Sequence, residues 1–234
     1  MSQSLPQAPA AVARRQPPGL VICGTDTDVG KTVVSALVVQ GLGAHYWKPV
    51  QCGLENGEGD RERVQRWLDW PAEWILPEAY RFLDPVSPHW AAELASGQTN
   101  QPGPPIHPAQ LALPTVDGPL VVETAGGLLV PLRRDLLQIE QLQAWGLPVL
   151  LVSRSGLGTL NHTLLSLEAL HQRQIPVLGV LLNGPDHPDN PRTLEQLGGV
   201  KVLGCLPPLE SINRSNLEIQ WRALDLSHKL GGAP

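Results

Sequence analysis

Nine consecutive residues, Gly24-Thr25-Asp26-Thr27-Asp28-Val29-Gly30-Lys31-Thr32, carry the densest chemistry in the chain. They follow the apolar run Leu20–Cys23 and open a helical pattern that reaches Leu42. A glycine-containing turn between a buried strand and a helix points backbone N–H groups at one spot, where an anion can bind. With Asp28, Val29, Gly30, Lys31, Thr32 and Val33 around it, that spot reads as a triphosphate cradle. Lys31 adds positive charge near the β and γ phosphates, and the Thr32 hydroxyl is placed for Mg2+. Five residues rather than four separate Gly24 from Gly30, so Thr25 stands where the first glycine of the strict pattern falls.

Other residues fit the same chemistry. Lys48 ends a short apolar stretch and precedes Pro49, which holds the backbone before it extended; it is either a second cation at the phosphates or a solvated strand-end lysine. Glu123 follows the run Leu120–Val122, and carboxyl ends of strands in open α/β sheets are where ligands gather. A carboxylate there suits Mg2+, which takes hard oxygen ligands; the alternative is a surface glutamate facing a helix. Asp60 lies among Glu55, Glu58 and Glu62 at a place that suits a helix N-cap. Gly156 to Thr159 reads as a backbone nest opening a helix, fit for a carboxylate or else a plain glycine-rich turn.

Elements must hold these groups. Apolar runs at Leu20–Cys23, Ala44–Trp47, Leu120–Val122, Pro148–Val152, Val177–Leu182 and Val200–Leu203 lack the alternation of half-exposed strands, as expected of a parallel sheet covered on both faces. Between them the pattern predicts helices over Gly30–Leu42, Asp60–Trp70, Pro108–Leu113, Asp135–Trp145, Thr159–Gln174 and Pro191–Leu197, with Asp135 and Thr159 as N-caps. Pro71–Pro105 is proline-rich and predicts a long connection, functional or carrying short helices. The fold class is α/β, a doubly wound, mostly parallel sheet with helices on both faces, of the P-loop NTPase type. One domain is expected over 19–234, behind a flexible Pro- and Ala-rich tail over 1–18 that lacks the apolar centre of a secretion signal.

Composition excludes several classes. A formal net charge of −5 offers no grip on nucleic acid or an anionic membrane. No apolar run approaches the ~20 residues that span a bilayer. Cys23, Cys52 and Cys205 are far apart and odd in number, so neither a zinc site nor a disulfide framework is indicated and a reducing cytoplasm is expected.

Taken in order, the motifs resemble one family. Thr25-to-Thr32 is similar to the phosphate loop of the dethiobiotin synthetases. Trp47-Lys48-Pro49-Val50 is similar to their Lys-Pro-Val motif, and Ser87-Pro88-His89 to their Ser-Pro-His segment. Glu123-Thr124-Ala125-Gly126-Gly127 is similar to Glu-Gly-Ala-Gly-Gly, with Thr124 replacing a glycine. Gly156 to His162, Asn183 and Gly204 to Pro207 continue the likeness, which spans about residues 20 to 210. The stretch from Lys31 to Lys48 is shorter than the family's by several residues.

The resemblance implies an ATP-dependent ligase of biotin biosynthesis. A nitrogen of 7,8-diaminononanoate captures CO2 as a carbamate, which attacks the γ-phosphate; the second amine then closes a ureido ring. It implies Lys31 and Lys48 as catalytic, Thr32, Asp60 and Glu123 around Mg2+, and Thr124, Ala125 and Gly126 beside the nucleotide. Asn183 with Pro207, Pro208 and Leu209 would hold the adenine. Thr27, Cys52, Gly158 and Asn161 would touch the diamine, with a homodimer sharing the site. Cys52 stands where the family has a hydroxyl, so Gln51, a water or backbone contacts would take over. His162 is read as a packed helix residue.

Rival readings are a cobyrinate-diamide-type ligase, for which the chain is too short to carry the fused glutaminase, an inactive paralogue, and a nucleotide-dependent switch. Dimerising partition ATPases carry an extra lysine five residues before the main one; here that place is Asp26.

Overall fold

The computed structural model describes residues 19–54, 57–98 and 106–230; the expected tail over 1–18 and Glu55 lie outside the described residues. The strands are β1 (Gly19–Gly24), β2 (His45–Trp47), β3 (Val50–Cys52), β4 (Tyr80–Phe82), β5 (Leu120–Gly127), β6 (Pro131–Arg133), β7 (Leu136–Leu137), β8 (Val149–Arg154), β9 (Val177–Asn183) and β10 (Val202–Leu206). The helices are α1 (Lys31–Leu42), α2 (Asp60–Leu68), α3 (Pro88–Gln98), α4 (Gln138–Trp145), α5 (Thr159–Gln172), α6 (Asn190–Gly198), α7 (Arg214–Ala223) and α8 (Leu226–Leu230). Six strands form one parallel sheet in the order β10-β9-β8-β1-β5-β2, the doubly wound arrangement that the alternating runs predict.

Alternation along the central strand builds two cores. Val21 and Cys23 of β1 face the side covered by α3, α4, α5 and α6. Leu20 and Ile22 face the side covered by α1, α2, α7 and α8. Because both faces are buried, every position is apolar, which is why the strand shows no sequence alternation. Parallel registry brings Ile22 opposite Glu123 and Gly24 opposite both Gly127 and Val152, so the carboxyl ends of β1, β5 and β8 meet beneath the phosphate loop. The chain leaves β1 toward β5 and β2 on one side and later toward β8, β9 and β10 on the other. Ligands bind at such a switch point.

Several expected details differ. The N-cap of α4 is Leu137, not Asp135, because Leu136–Leu137 are taken up in a short antiparallel pair with β6. Gly158, in a left-handed conformation at φ 89, is the N-cap of α5, and Thr159 is its first helical residue with its hydroxyl turned inward. Pro108–Leu111 is a single 3-10 turn instead of a helix to Leu113. The last strand starts at Val202, two residues late, since Gly199 ends α6 at φ 60 and the chain must turn back first. Within the proline-rich connection lie α3 and β4, which pairs in parallel with β3 from outside it. α7 and α8 lie beyond the last predicted element. Among the described residues, no helix is long and apolar enough to cross a membrane.

Candidate active site

The phosphate loop owes its shape to close approaches. Gly24 has no room for a side chain, because the Lys31 stem and the Asp26 carbonyl pass within 2.9 and 2.7 Å of where a Cβ would sit. Lys31 Nζ donates to that carbonyl at 2.7 Å, which folds the ammonium back over the loop. Gly30 adopts φ 94, and a Cβ there would collide with the Asn183 amide. Asn183 Nδ2 donates to the Val29 carbonyl at 3.1 Å, tying the end of β9 to the start of α1. Thr25, the residue in place of the first glycine, is anchored through its N–H to Val152 O at 3.0 Å and its hydroxyl to Ser153 Oγ at 3.3 Å.

Beside the loop, three distant segments deliver a buried polar cluster. Glu123 is fully buried on the α1 side of β5. Its Oε1 accepts from Thr32 Oγ1 at 2.9 Å and Lys48 Nζ at 3.1 Å, and its Oε2 accepts from Tyr46 Oη at 2.9 Å. Lys48 Nζ also donates to Asp60 Oδ2. Asp60 is the first residue of α2 and pairs with Lys48; the N-cap is Gly59. Its backbone N–H donates to Gln51 Oε1 at 3.1 Å, while Gln51 Nε2 donates to the Cys52 and Gly53 carbonyls at 3.0 Å each. Arg81 holds the same loop through Glu62 at 2.8 Å and the Gly57 carbonyl at 2.6 Å. Charge-assisted bonds of this kind, shielded from water, fix geometry strongly.

The electrostatics follow from burial and pairing. Burial works against the charge on Lys48, but Glu123 and Asp60 outweigh it and hold its pKa above the ordinary lysine value. Burial lowers the pKa of Lys31, with Lys48 adding to the shift and Glu123 opposing it. Burial raises Asp60, yet the Lys48 charge and hydrogen bond overcome it and leave the carboxyl below its ordinary value. The Cys52 thiol is pushed up to about 12 by burial, so it remains a thiol at neutral pH.

These residues line one cleft of about 830 Å³. Its polar floor has Thr27, Asp28, Gly30, Lys31, Thr32, Val33, Lys48, Asp60 and Glu123, and Ala125 and Gly126 close one edge. Cys52, Leu54, Leu83, Pro85, Val86 and Val130 make an apolar wall, with Trp67 at the rim. Hard oxygens of Thr32, Asp60 and Glu123 converge there, and the Lys48 ammonium bridges the two carboxylates. That donor set fits Mg2+.

Other expected site residues lie elsewhere. Val29 is buried under α1 rather than facing the cleft. Thr124 is also buried, its hydroxyl donating to Ile22 O at 3.3 Å, and the pairing of β1 with β5 shifts register just beyond it, between Glu123 and Gly127. Pro207, Pro208 and Leu209 follow β10, whose Leu206 pairs with Asn183, so the four residues are brought together at one corner. Gly158 and Asn161 lie exposed at the start of α5, outside the cleft. His162 is exposed as well, not packed. It lines a second hollow of about 490 Å³ with Asp26, Leu128, Leu129 and Leu165, and Thr27 borders both.

The sequence reading missed Tyr46 and the tie that Gln51 makes to Asp60. Tyr46 precedes Lys48 by two on an extended backbone, so both point to one face; that spacing was the available signal. Leu83, Pro85 and Val86 of the apolar wall come from the unassigned connection and had none.

Residues 18–216 match the AAA domain family. An ATP-dependent dethiobiotin synthetase of Rhodopseudomonas palustris (strain BisA53) is 48% identical over 201 residues, covering 86% of this chain and 91% of the relative. The corresponding enzyme of Agrobacterium fabrum is 49% identical, covering 82% and 87%. That of Novosphingobium aromaticivorans is 48% identical, covering 84% and 91%. A solved chain of the septum site-determining protein MinD from Pyrococcus horikoshii OT3 aligns at 16% identity and a TM-score of 0.49, covering 91% of this chain and 93% of that one, too loose a likeness to bear on the site. With relatives this similar over nearly the whole chain, the protein belongs to the ATP-dependent dethiobiotin synthetase family.

Proposed function

We propose that this chain is an ATP-dependent dethiobiotin synthetase, a carbon–nitrogen ligase that carboxylates 7,8-diaminononanoate and closes the ureido ring. The observation that carries this reading is the convergence of Lys31, Thr32, Lys48, Asp60 and Glu123 on one cleft floor with an apolar wall beside it. The phosphate loop receives ATP, and the wall suits the alkyl chain of a diamine. One amine captures CO2 and loses a proton, giving a carbamate. A carbamate oxygen attacks the γ-phosphorus, the bond to the β-phosphate oxygen breaks, and ADP leaves. The second amine attacks the carbonyl carbon of the resulting anhydride, phosphate departs with the bonding pair, and the nitrogen gives up a proton.

The residues serve this by placed charge, which is most of what phosphoryl transfer asks of a protein. Lys48, kept protonated between two carboxylates, sits where negative charge gathers on the carbamate and γ-phosphate. Lys31 swings from the Asp26 carbonyl to the phosphates. Thr32, Asp60 and Glu123 would hold Mg2+, which neutralises phosphate charge when bound. Asn183 with Pro207, Pro208 and Leu209 forms the adenine corner. Cys52 gives the diamine a half-buried thiol wall.

A homodimer completes the reading. Leu129, Leu157 and Leu165 are exposed, at 54, 101 and 58%, near the second hollow and the start of α5. Such an apolar patch suits a second copy, whose Gly158 and Asn161 would approach the diamine. The composition and cysteine usage suit the cytoplasm.

The test is to incubate the protein with MgATP, bicarbonate and the diamine, omitting one component at a time, and to detect dethiobiotin by mass. Product that requires all three, with one ADP per ring, is expected. Nucleotide binding without product would move the reading to a switch or an inactive paralogue.

A further inference from the structure

Tyr46 takes no part in the reaction just described, yet it is fully buried directly under the cleft floor. It sits on β2, paired with Val121 of β5, so its ring and the Glu123 side chain emerge on the same face of neighbouring strands. Its backbone is fixed on the other side too, since the carbonyl accepts from Leu76 N at 2.8 Å. The phenol donates to Glu123 Oε2 at 2.9 Å. The other carboxylate oxygen, Oε1, receives Thr32 and Lys48. One oxygen is therefore turned into the core and the other into the cleft, and among the described residues the donor on the inward one is the Tyr46 hydroxyl.

We propose that Tyr46 is a positioning residue for this reaction: by holding Glu123 Oε2 it fixes which carboxylate oxygen is presented to the divalent cation beside Thr32 and Asp60. The inference rests on the reading of Glu123 as a Mg2+ ligand. A carboxylate on a flexible three-bond stem has a competing orientation about its last bond. An inward donor removes that freedom before the cation arrives. Hydrogen-bond partners of ligating carboxylates tune metal affinity by about 10- to 100-fold in known sites. Burial, with the facing carboxylates, pushes the Tyr46 phenol well above its ordinary range, so it stays a donor at any working pH. Phenylalanine keeps the ring that fills the core and deletes only the donor.

Tyr46→Phe is compared with the unaltered chain in two titrations. Mn2+ binding to the ADP complex is followed by electron paramagnetic resonance, and the Mg2+ needed for half-maximal ring closure is measured at saturating ATP and diamine. The expected result is a rise of about tenfold or more in both half-saturation values, with metal-free ADP binding unchanged. Equal metal titrations in the two proteins would overturn the proposal, even if the variant melted earlier, because a purely structural role lowers stability without moving metal affinity. Should the variant not fold, 3-fluorotyrosine in the otherwise unaltered chain gives a second measurement. The chain has two tyrosines, Tyr46 and Tyr80, and Tyr80→Phe assigns their signals. The Tyr46 fluorine resonance must shift when Mg2+ joins ADP; a resonance indifferent to Mg2+ removes Tyr46 from the metal's surroundings. A chain that binds metal as expected but makes no dethiobiotin would instead count against the reaction, leaving the role of Tyr46 intact.

Discussion

The cleft floor and the start of α5 are both assigned to ligands, but they are built in opposite ways. On the floor, Lys48, Asp60 and Glu123 come from three separate segments, are buried, and are bonded to one another, to Thr32, to Tyr46 and, through Gln51, to backbone. At the start of α5, Gly156, Leu157, Gly158 and Asn161 are exposed, and the turn is held by the left-handed Gly158 and by Thr159, whose N–H donates to Gly156 O at 3.2 Å and whose hydroxyl meets Ser153 Oγ at 2.8 Å. Preorganised charge needs no rearrangement at the moment of reaction, which is where electrostatic catalysis gains most. In the proposed homodimer, the second copy would cover this exposed turn.

Breaking the floor should have the largest effect. Lys48→Gln removes the cation shared by two buried carboxylates and is expected to lower turnover by about 10³-fold or more, while nucleotide binding measured by titration persists. Normal turnover would remove Lys48 from the mechanism. Lys31→Gln is expected to lower kcat/KM for MgATP by about 10²-fold, since the loop retains its backbone donors but loses the mobile charge. Full activity in that variant would sink the phosphate-loop assignment.

Changes at α5 sharpen the contrast. Asn161→Ala should raise KM for the diamine by about tenfold, the worth of one hydrogen bond to a charged or polar ligand, and leave KM for ATP unmoved. Leu157→Asp should weaken self-association in sedimentation velocity and depress activity most at low protein concentration. If Asn161→Ala changed KM for ATP instead, the division between the two regions would fail.

How much of this the sequence shows depends on how local each feature is. The phosphate loop is contiguous, and its glycines, lysine and threonine are legible because backbone geometry dictates their types. β1, β5, β8 and β9 read as apolar runs because both faces are buried. Glu123 and Lys48 are legible as strand-end residues, but their direct meeting, with Tyr46 and Thr32 on the same carboxylate, depends on strand order, which no single segment encodes. The Asp135 cap failed because the β6-β7 pair, held by tertiary packing, claimed the residues before α4. α3 was hidden because proline-rich flanks mask its start and its composition, with three alanines and little apolar periodicity, gives no strong stripe. The exposed placement of Gly158 and Asn161 follows from where α5 sits, which their own residue types do not reveal.

The smallest expected effect is on acid stability, and it isolates the Asp60–Lys48 pair. Lys48 holds the Asp60 carboxyl below its ordinary pKa. The unfolded chain then binds the proton more readily than the folded one, so the pair's contribution is fully present above the unfolded value, about 3.9, and is lost as pH falls through the lower folded value. Asp60→Asn has no such group to titrate. Melting temperatures of the two proteins should therefore be furthest apart near neutrality, with the native chain higher, and should converge only below about pH 4. Because the pair is buried, the gap should also survive added salt, unlike that of an exposed pair. A gap that closed already between pH 7 and 5, or that opened further in acid, would mean that Asp60 is not held by Lys48 in the folded chain. The floor would then lack the built-in pairing that sets it apart from the exposed start of α5, and the two regions would no longer differ.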